Sequence, residues 1–515
     1  MPTLRNLSSS VSALHGEGVL VLLSAFYACP GLFYTTPAQD GMLSRIRIPG
    51  GILTSEQCGM IANIADNYGG GYIDVTNRAN LQIREMKAAI NIEVLQSLQE
   101  LALGSVNTAV DHIRNIMTSP TAGIDTQELT DTRPLVKAWD NYITAHSHFS
   151  GLSAKFSVCF DGGGKVAVKN CLNDITLAAE LLDGDGKTHH VYFRLHLSCG
   201  EKGKPPQDTG ILLKPKECIP VLAALADVYL KHTDAKLRRK PRLREVINEL
   251  GVEQYLQEVE QHFKVNNSVC DDKLFFSHSL FTAQEPKREN LLYHLGIYPQ
   301  RQTGLFYIGV VLPLGRLESL QMRGLANLAT KYGSCNLRLT PWQNVLITDI
   351  PQHKIAEVTQ VITSLGLNIS STHINSALVA CSGKRGCAAS ATETKDHALA
   401  LAAYLENHLT LDSPINIHFS GCVKSCAQHD QADITLIGVS SEAEDKSLEG
   451  YQVYVSDGTL QKFGYQLYEY VTFTELPKLI SRMLQIYQYQ RLSLDESFRE
   501  FVYRYGTSQL LQIFS

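Results

Sequence analysis

Four cysteines in two pairs are the residues best placed to do chemistry. Cys381 and Cys387 lie in ACSGKRGCAAS with five residues between them, and Cys422 and Cys426 lie in FSGCVKSCAQ with three between them. Thiolates gathered from two places in a chain form disulfides or hold a metal or cluster. Disulfide frameworks belong to short secreted chains, and this chain has 515 residues with 12 cysteines. Paired zinc ligands are usually separated by roughly two to four residues, so the wider pair is awkward for zinc. Gly383, Gly386, Ala388, Ser420 and Gly421 flank the pairs and let backbone N–H groups approach cluster sulfurs. Cys₄ ligation of a [4Fe–4S] cluster fits this pattern. Such a cluster does one-electron chemistry, which makes an oxidoreductase the expected class. The scattered cysteines, Cys58, Cys159 and Cys335 among them, are expected to be buried small hydrophobes.

Elements must exist to bring the pairs together, and the chain is long enough for three or four compact units. Hydrophobic residues make up 44% and charged residues 19%, values that give no sign of disorder or low complexity. A formal net charge of -5 argues against nucleic acid as a partner through bulk charge. Any bound anion must therefore meet a local basic cluster. The apolar run VLVLLSAFYAC (19–29) has His15 and Glu17 at its start and aromatic residues at its end, unlike a signal peptide. No run reaches the roughly 18 apolar residues of a membrane span. A cytoplasmic protein with no membrane association and an N-terminal extension over 1–28 is expected.

An internal repeat organises the rest. GGILTSEQCGMIANIADNYG (50–69) and LGRLESLQMRGLANLATKYG (314–333) align without a gap at an offset of 264, and DVTNRANLQI (74–83) then meets RLTPWQNVLI (338–347). Each unit reads strand, helix, strand. The helix stops at Tyr-Gly, where glycine is expected in a left-handed cap. LNDITLAA (172–179) and QADITLIG (431–438) extend the repeat at an offset of 259. Two similar halves, packed about a pseudo-twofold axis, follow. Their chemistry is not duplicated, because at the 264 offset Arg78 faces Trp342 and Met117 faces Cys381. Cations in one half and thiolates in the other imply a single site between them.

The order C-x5-C, then C-x3-C, resembles the nitrite and sulfite reductase family, over about residues 29–475. That resemblance implies an α+β fold of two pseudosymmetric halves, each a ferredoxin-like strand-helix-strand unit followed by a haemoprotein-type α+β domain. The implied boundaries are 29–85 and 86–290 for the first half, 291–350 and 351–475 for the second, and 476–515 for a C-terminal helical tail. LRRKPRLREVINELG (237–251) resembles the linker helix of the family. The resemblance also implies a [4Fe–4S] cluster on Cys381, Cys387, Cys422 and Cys426, with Cys426 shared with the iron of a sirohaem. TNRANLQIR, RNIMTSP and LSAKFSV resemble the basic motifs of the family and place Arg78, Arg114 and Lys155 as catalytic cations. The arginines would offer fixed forks to carboxylates, and Lys155 a point charge or a proton. Ser157 departs from the family, which carries lysine or asparagine there. His418 and His429, flanking the second pair, are expected in hydrogen-bonding or core roles.

Within the family, ACPGLFYTTPAQDGMLSRIRIPGG (28–51), KFSVCFDGGG (155–164), LRLTPWQ (337–343) and SGCVKSCAQHDQADITLIG (420–438) resemble the precorrin-3B synthase branch. This implies O₂-dependent hydroxylation and lactonisation of precorrin-3A in cobalamin biosynthesis. A carboxylate-rich tetrapyrrole substrate would lie in the cleft, with the arginines on its carboxylates and a further non-haem iron to activate O₂. GRLESLQMRGLANLATKYG and ETKDHALAL are similar to plant-type nitrite reductases. The alternatives are therefore a ferredoxin-dependent nitrite or sulfite reductase with sirohaem, and a non-catalytic tetrapyrrole carrier. The electron donor would be a small protein such as ferredoxin, or an NAD(P)H-linked donor. The basic run LRRKPRLR is expected to be a solvated helix face rather than a docking patch, and ESFREFVYRYG (496–506) a helix packed on the body.

Overall fold

Each repeated helix starts at a reciprocal cap and buries one apolar face. In chain order the first unit carries β1 (Thr36–Ala38), β2 (Gly41–Ile46), β3 (Ile52–Thr54), α1 (Ser55–Tyr68), β4 (Tyr72–Val75) and β5 (Leu81–Met86). Thr54 caps α1 while Gln57 reaches back to the Thr54 N–H, a capping box. The computed structural model describes residues 30–183, 189–234, 237, 239–267, 292–429, 431–443, 446–458 and 462–514. The extension over 1–28, the apolar run within it and Arg238 of the basic run lie outside these residues.

A larger domain follows, with β6 (Ile116–Thr118), β7 (Val158–Asp161), β8 (Ile175–Asp183), β9 (His189–Leu197) and β10 (Gln207–Leu213). The second half repeats the plan. Its small unit has β11 (Gly296–Pro299), β12 (Leu305–Val310), β13 (Arg316–Glu318), α2 (Ser319–Tyr332), β14 (Asn336–Leu339) and β15 (Val345–Pro351). Its large domain has β16 (Leu378–Ala380), β17 (Ile417–Ser420), β18 (Ile434–Ala443), β19 (Lys446–Val455) and β20 (Tyr465–Thr472).

The expected α+β architecture of two pseudosymmetric halves is what the sheets show. The small units, however, are not self-contained. Their sheets run β1-β2-β5-β4-β13 and β11-β12-β15-β14-β3, so each takes its last strand from the other unit. Antiparallel pairs Leu337↔Leu53 and Leu317↔Ile73 make the exchange, which covers an edge that either unit alone would leave open. Helices α1 and α2 pack together, and Ile61, Ile64, Leu325 and Leu328 share one core. Each such side chain contributes about 1.5–3 kcal/mol on burial.

Both large domains pair two parallel steps and then two antiparallel ones. Their register corrects one expectation. Ile116 pairs with Val158 and Leu378 with Ile417, so the offset here is 262, and Cys381 corresponds to Ser119 rather than Met117. The connection from the small unit is two residues shorter in the second half, a slip that gap-free alignment hides. The helix ends need a second correction. Gly69 and Gly333 have φ of -115° and -118°, not left-handed values. Glycine is required there because a Cβ would lie 2.9 Å from Arg84 O and 2.4 Å from Thr348 O.

The large domains have separate cores, one around Trp139, Phe160 and Tyr229, the other around Phe419, Tyr451 and Tyr487. The tail helix Phe498–Phe514 does more than rest on the body, since Phe498, Phe501, Val502 and Phe514 enter the second core. Of the scattered cysteines, Cys58 and Cys159 are buried as expected. Cys335 is exposed, because it occupies a positive-φ turn (φ 58°) just beyond α2.

Candidate active site and iron–sulfur centre

Two cysteine pairs far apart in sequence meet because β16 and β17 are adjacent and parallel. Both strands release their chains at the same sheet edge. Cys381 follows β16 directly, Cys387 ends the short helical turn Gly383–Gly386, and Cys422 and Cys426 lie in the loop after β17. The Cys381 N–H continues the ladder to Phe419 O at 3.1 Å. The Gly421 N–H points at Cys381 Sγ, 3.2 Å away. No other residue fits at 421, since a Cβ would lie 1.7 Å from Ser390 Oγ.

The four thiols are close enough to sense one another. Cys426 keeps solvent access, yet desolvation by its surroundings, followed by Cys422, Cys381 and Cys387, pushes its thiol up, while Lys424 opposes them. Among the described residues no three His, Cys, Asp or Glu side chains close around one ion. A four-iron cluster gives each thiolate its own iron, and these loops, with an N–H on one sulfur, fit such a group. The first half braces them: Arg84, paired with Asp40 at 2.8 Å, also donates to Gly386 O at 3.1 Å, and Arg385 pairs with Glu85 at 2.8 Å.

Arg78 is brought to this edge. It sits in a tight turn where Thr76 Oγ1 accepts from the N–H groups of Arg78 and Asn80. Asn77 reaches Ala427 O in the second cysteine loop at 3.5 Å, and Arg78 reaches Asn173 Oδ1 at 3.4 Å. His429, beside that loop, is half-buried, and burial followed by the charges of Lys202, Arg78, Lys462 and Arg242 pushes its ring down. A positive rim therefore surrounds the edge. His418 lies in β17 as a core residue, held down to about 4 by burial, with His429 and Lys462 adding to it.

Arg114 and Lys155 stand differently. Arg114 is buried, with Nε and Nη2 on the Asp140 carboxylate at 2.7 and 3.0 Å and Nη1 on Asp111 at 3.4 Å. Burial opposes its charge, but these carboxylates outweigh it and hold the guanidinium above its ordinary range. Lys155 is exposed before β7. Ser157, two residues on, is buried and tied to Asp174, whose other oxygen accepts from Arg242 at 2.8 Å. Arg242 of the basic run is thus a paired side chain, not a solvated one. Lys202, Arg242 and Lys462 were not legible as site residues, because no spacing links three separate loops.

Comparison with known proteins places these features. Residues 36–101 and 298–365 match the nitrite/sulfite reductase ferredoxin-like half domain, and 109–267 match the nitrite and sulphite reductase 4Fe-4S domain. The second match falls on the large domain without the four cysteines. The ferredoxin–nitrite reductase of Synechococcus elongatus is 30% identical over 461 residues, covering 88% of each chain. That of Leptolyngbya laminosa is 32% identical over 82% of each chain, and the chloroplastic enzyme of Arabidopsis thaliana 31% over 88% of this chain and 78% of its own. The structure of the Mycobacterium tuberculosis NirA protein superposes with a TM-score of 0.73 at 24% identity, over 91% of this chain and 84% of that one, a likeness of fold.

These relatives overturn the precorrin-3B synthase expectation, and with it the monooxygenase activity and the place in cobalamin biosynthesis. The physical reason lies in what the quoted segments build. Residues 41–46 and 49–51 form β2 and the turn before the strand exchange, Leu337–Gln343 forms β14 and its turn, and 158–161 and 434–438 are strands. They are scaffold, which branches of one fold share. Among the described residues no helix is long and apolar enough to cross a membrane.

Proposed function

We propose, for a chain that belongs to the nitrite and sulfite reductase family, that it is a ferredoxin-dependent reductase of nitrite, with sulfite as the second substrate. The observation carrying this reading is the meeting of four cysteines from two loops at one sheet edge, beside a rim of cations. Cys381, Cys387, Cys422 and Cys426 would hold a [4Fe–4S] cluster, and Cys426, the most exposed of them, would be shared with a sirohaem. When bound, these groups supply electrons singly to an anion held beside them.

The residues of the chain then have separate tasks. Arg78, backed by Lys202, Arg242 and Lys462, draws an anion and the carboxylates of a tetrapyrrole toward the edge. The Gly421 N–H stabilises charge on the Cys381 sulfur. Lys155, exposed and unencumbered by a salt bridge among those described, serves as point charge or proton source. Arg114, clamped by Asp140, contributes field from behind rather than a free fork. Nitrite takes six electrons from reduced ferredoxin and eight protons, giving ammonium and two waters.

The test is turnover with a chemically reduced viologen dye, followed by assay of ammonium from nitrite and sulfide from sulfite. Nitrite reduction that requires the cluster is expected. Protein carrying both a full four-iron cluster and sirohaem, yet reducing neither anion, would overturn the proposal.

A further inference from the structure

The pseudo-twofold axis exposes a place where the two halves are packed differently. Residue 314, at the turn before β13, is leucine with φ 52° and is buried in the second large core. A leucine in left-handed backbone is strained, and its side chain fills the space under the helix Thr394–His408. At the same repeat position the first half has Gly50, φ 72°, and Val136 and Thr118 close in instead, 3.2 and 3.5 Å from where a Cβ would stand. A hollow of about 230 Å³ opens there, between the Pro49–Gly50 turn and the helix Arg133–Ala145.

Its walls are basic. Arg47, Arg114, Arg133 and Lys137 line it, with Asp140 as the acidic member. Asp140 is already engaged by Arg114, and Arg133 is held by Asp131 at 2.8 Å. Among the described residues that leaves Arg47 and Lys137 without an ion-pair partner. Arg47 is 1% exposed, donates Nη1 to Pro30 O at 3.2 Å, and among the described residues has no partner on Nε or Nη2. In the second half the corresponding residue is Val311, an apolar side chain also 1% exposed.

The unused edge of Arg47 is informative because the same edge is used elsewhere in this chain. Arg84 holds Asp40 through Nε and Nη2 at 2.8 and 3.0 Å, and Arg114 holds Asp140 in the same way. A side-on fork of this kind matches a carboxylate or phosphate edge. A buried guanidinium left unpaired is costly, whereas a valine there, as in the second half, is not.

We infer that the hollow is a binding site for a small oxyanion of the phosphate or carboxylate class, gripped by the Nε–Nη2 edge of Arg47 with Lys137 at its mouth. The anion enters past Lys137, which is exposed, and the Arg47 side chain turns to present its edge. Neither Arg78, Lys155 nor the cysteine loops line the hollow. The hollow lies behind Arg114, the one residue it shares with the proposed redox site, and its occupancy is read by stability rather than turnover.

The experiment is thermal unfolding of the full chain in sodium phosphate against sodium chloride at matched ionic strength, for wild type and three variants. A saturable, phosphate-specific rise in melting temperature is expected in wild type and in Arg78→Met, and is expected to vanish in Arg47→Met. Lys137→Met, at an exposed position, should raise the half-saturating concentration by roughly threefold, the scale of one exposed ion pair. That variant keeps the test decisive if Arg47→Met does not fold. A phosphate effect absent from wild type, equal in wild type and both hollow variants, or lost instead in Arg78→Met overturns the inference. The last outcome would assign the anion to the cationic rim, and the first would leave the hollow to water.

Discussion

The two large domains close the same sheet corner in opposite ways. Beyond β6 and β7 the first half uses carboxylates: Asp161 accepts from the N–H groups of Gly163, Val168 and Lys169, and Asp125 from Thr121, Val166 and Gln127. Ser119 stands where the second half has Cys381, and it donates to Val166 O at 2.7 Å. Beyond β16 and β17 the second half has Glu393 accepting from the Arg385 N–H and Glu449 from the Glu393 N–H, beside a group of thiols in which burial, then the other cysteines, pushes Cys426 up. One corner is complete as protein. Under the proposed function the other would be completed by a cluster on its thiols, which would couple binding to local folding. The difference teaches that duplication supplied two equivalent corners, and side-chain choice made only one of them reactive.

The comparison breaks most directly at its paired positions. Cys381→Ser is expected to abolish cluster iron and nitrite reduction, whereas Ser119→Ala should leave the iron and sulfide count unchanged. Full iron in the Cys381 variant would remove the thiolate assignment. Asp161→Ala, which strips an acceptor from the buried N–H of Val168 and the half-buried ones of Gly163 and Lys169, should cost about 1–3 kcal/mol in urea unfolding. Its cluster content per folded chain should stay as in wild type, and a loss of iron would show that the corners are not independent.

Acid should separate the halves. Burial holds His112 and His294 down to about 3 and His418 to about 4, with neighbouring cations adding to the effect at His112 and His418. Each is neutral in the fold while the unfolded chain takes a proton below about pH 6.5. Stability is therefore intact above that value and falls with pH, by about 1.4 kcal/mol per pH unit for each ring, until its folded value is reached. Burial also holds down His196 in the first half and His397 and His429 in the second, so among the described residues the second half carries four of six such rings, and hydrogen exchange at pH 5 should show it opening first. His294→Phe should reduce the slope by about 1.4 kcal/mol per pH unit, the share of one ring. An unchanged slope would mean that His294 is protonated in the fold.

The smallest effect expected is at the repeat turns. Arg78→Ala should weaken binding of a carboxylate-bearing tetrapyrrole by about 2 kcal/mol, one charge-assisted contact, while Trp342→Ala, its repeat mate, should leave affinity unchanged. Equal losses at both would show that the cleft is not confined to one side.

Much of this architecture was legible before any coordinates, for reasons that are local. Capping boxes, apolar spacing and the Thr-x-x-x-Asn turn act within a few residues, so the repeat, its helices and the positions of Arg78 and Trp342 could be read directly. The cysteine pairs stood out in sequence as candidate cluster ligands, and the parallel pairing of β16 with β17 brings their loops to one sheet edge. What distant residues decide was not legible. Strand exchange between the small units depends on partners brought up by the pseudo-twofold axis, and the slip of the offset to 262 and the pairing of Arg114 with Asp140 depend on packing within each half. The branch of the family was misread for the same reason, since the longest shared segments encode strands and turns. Sequence by itself determined the two halves and the four thiolates. Only tertiary structure decided which cations meet them, because charge pairing is settled by through-space neighbours and not by order along the chain.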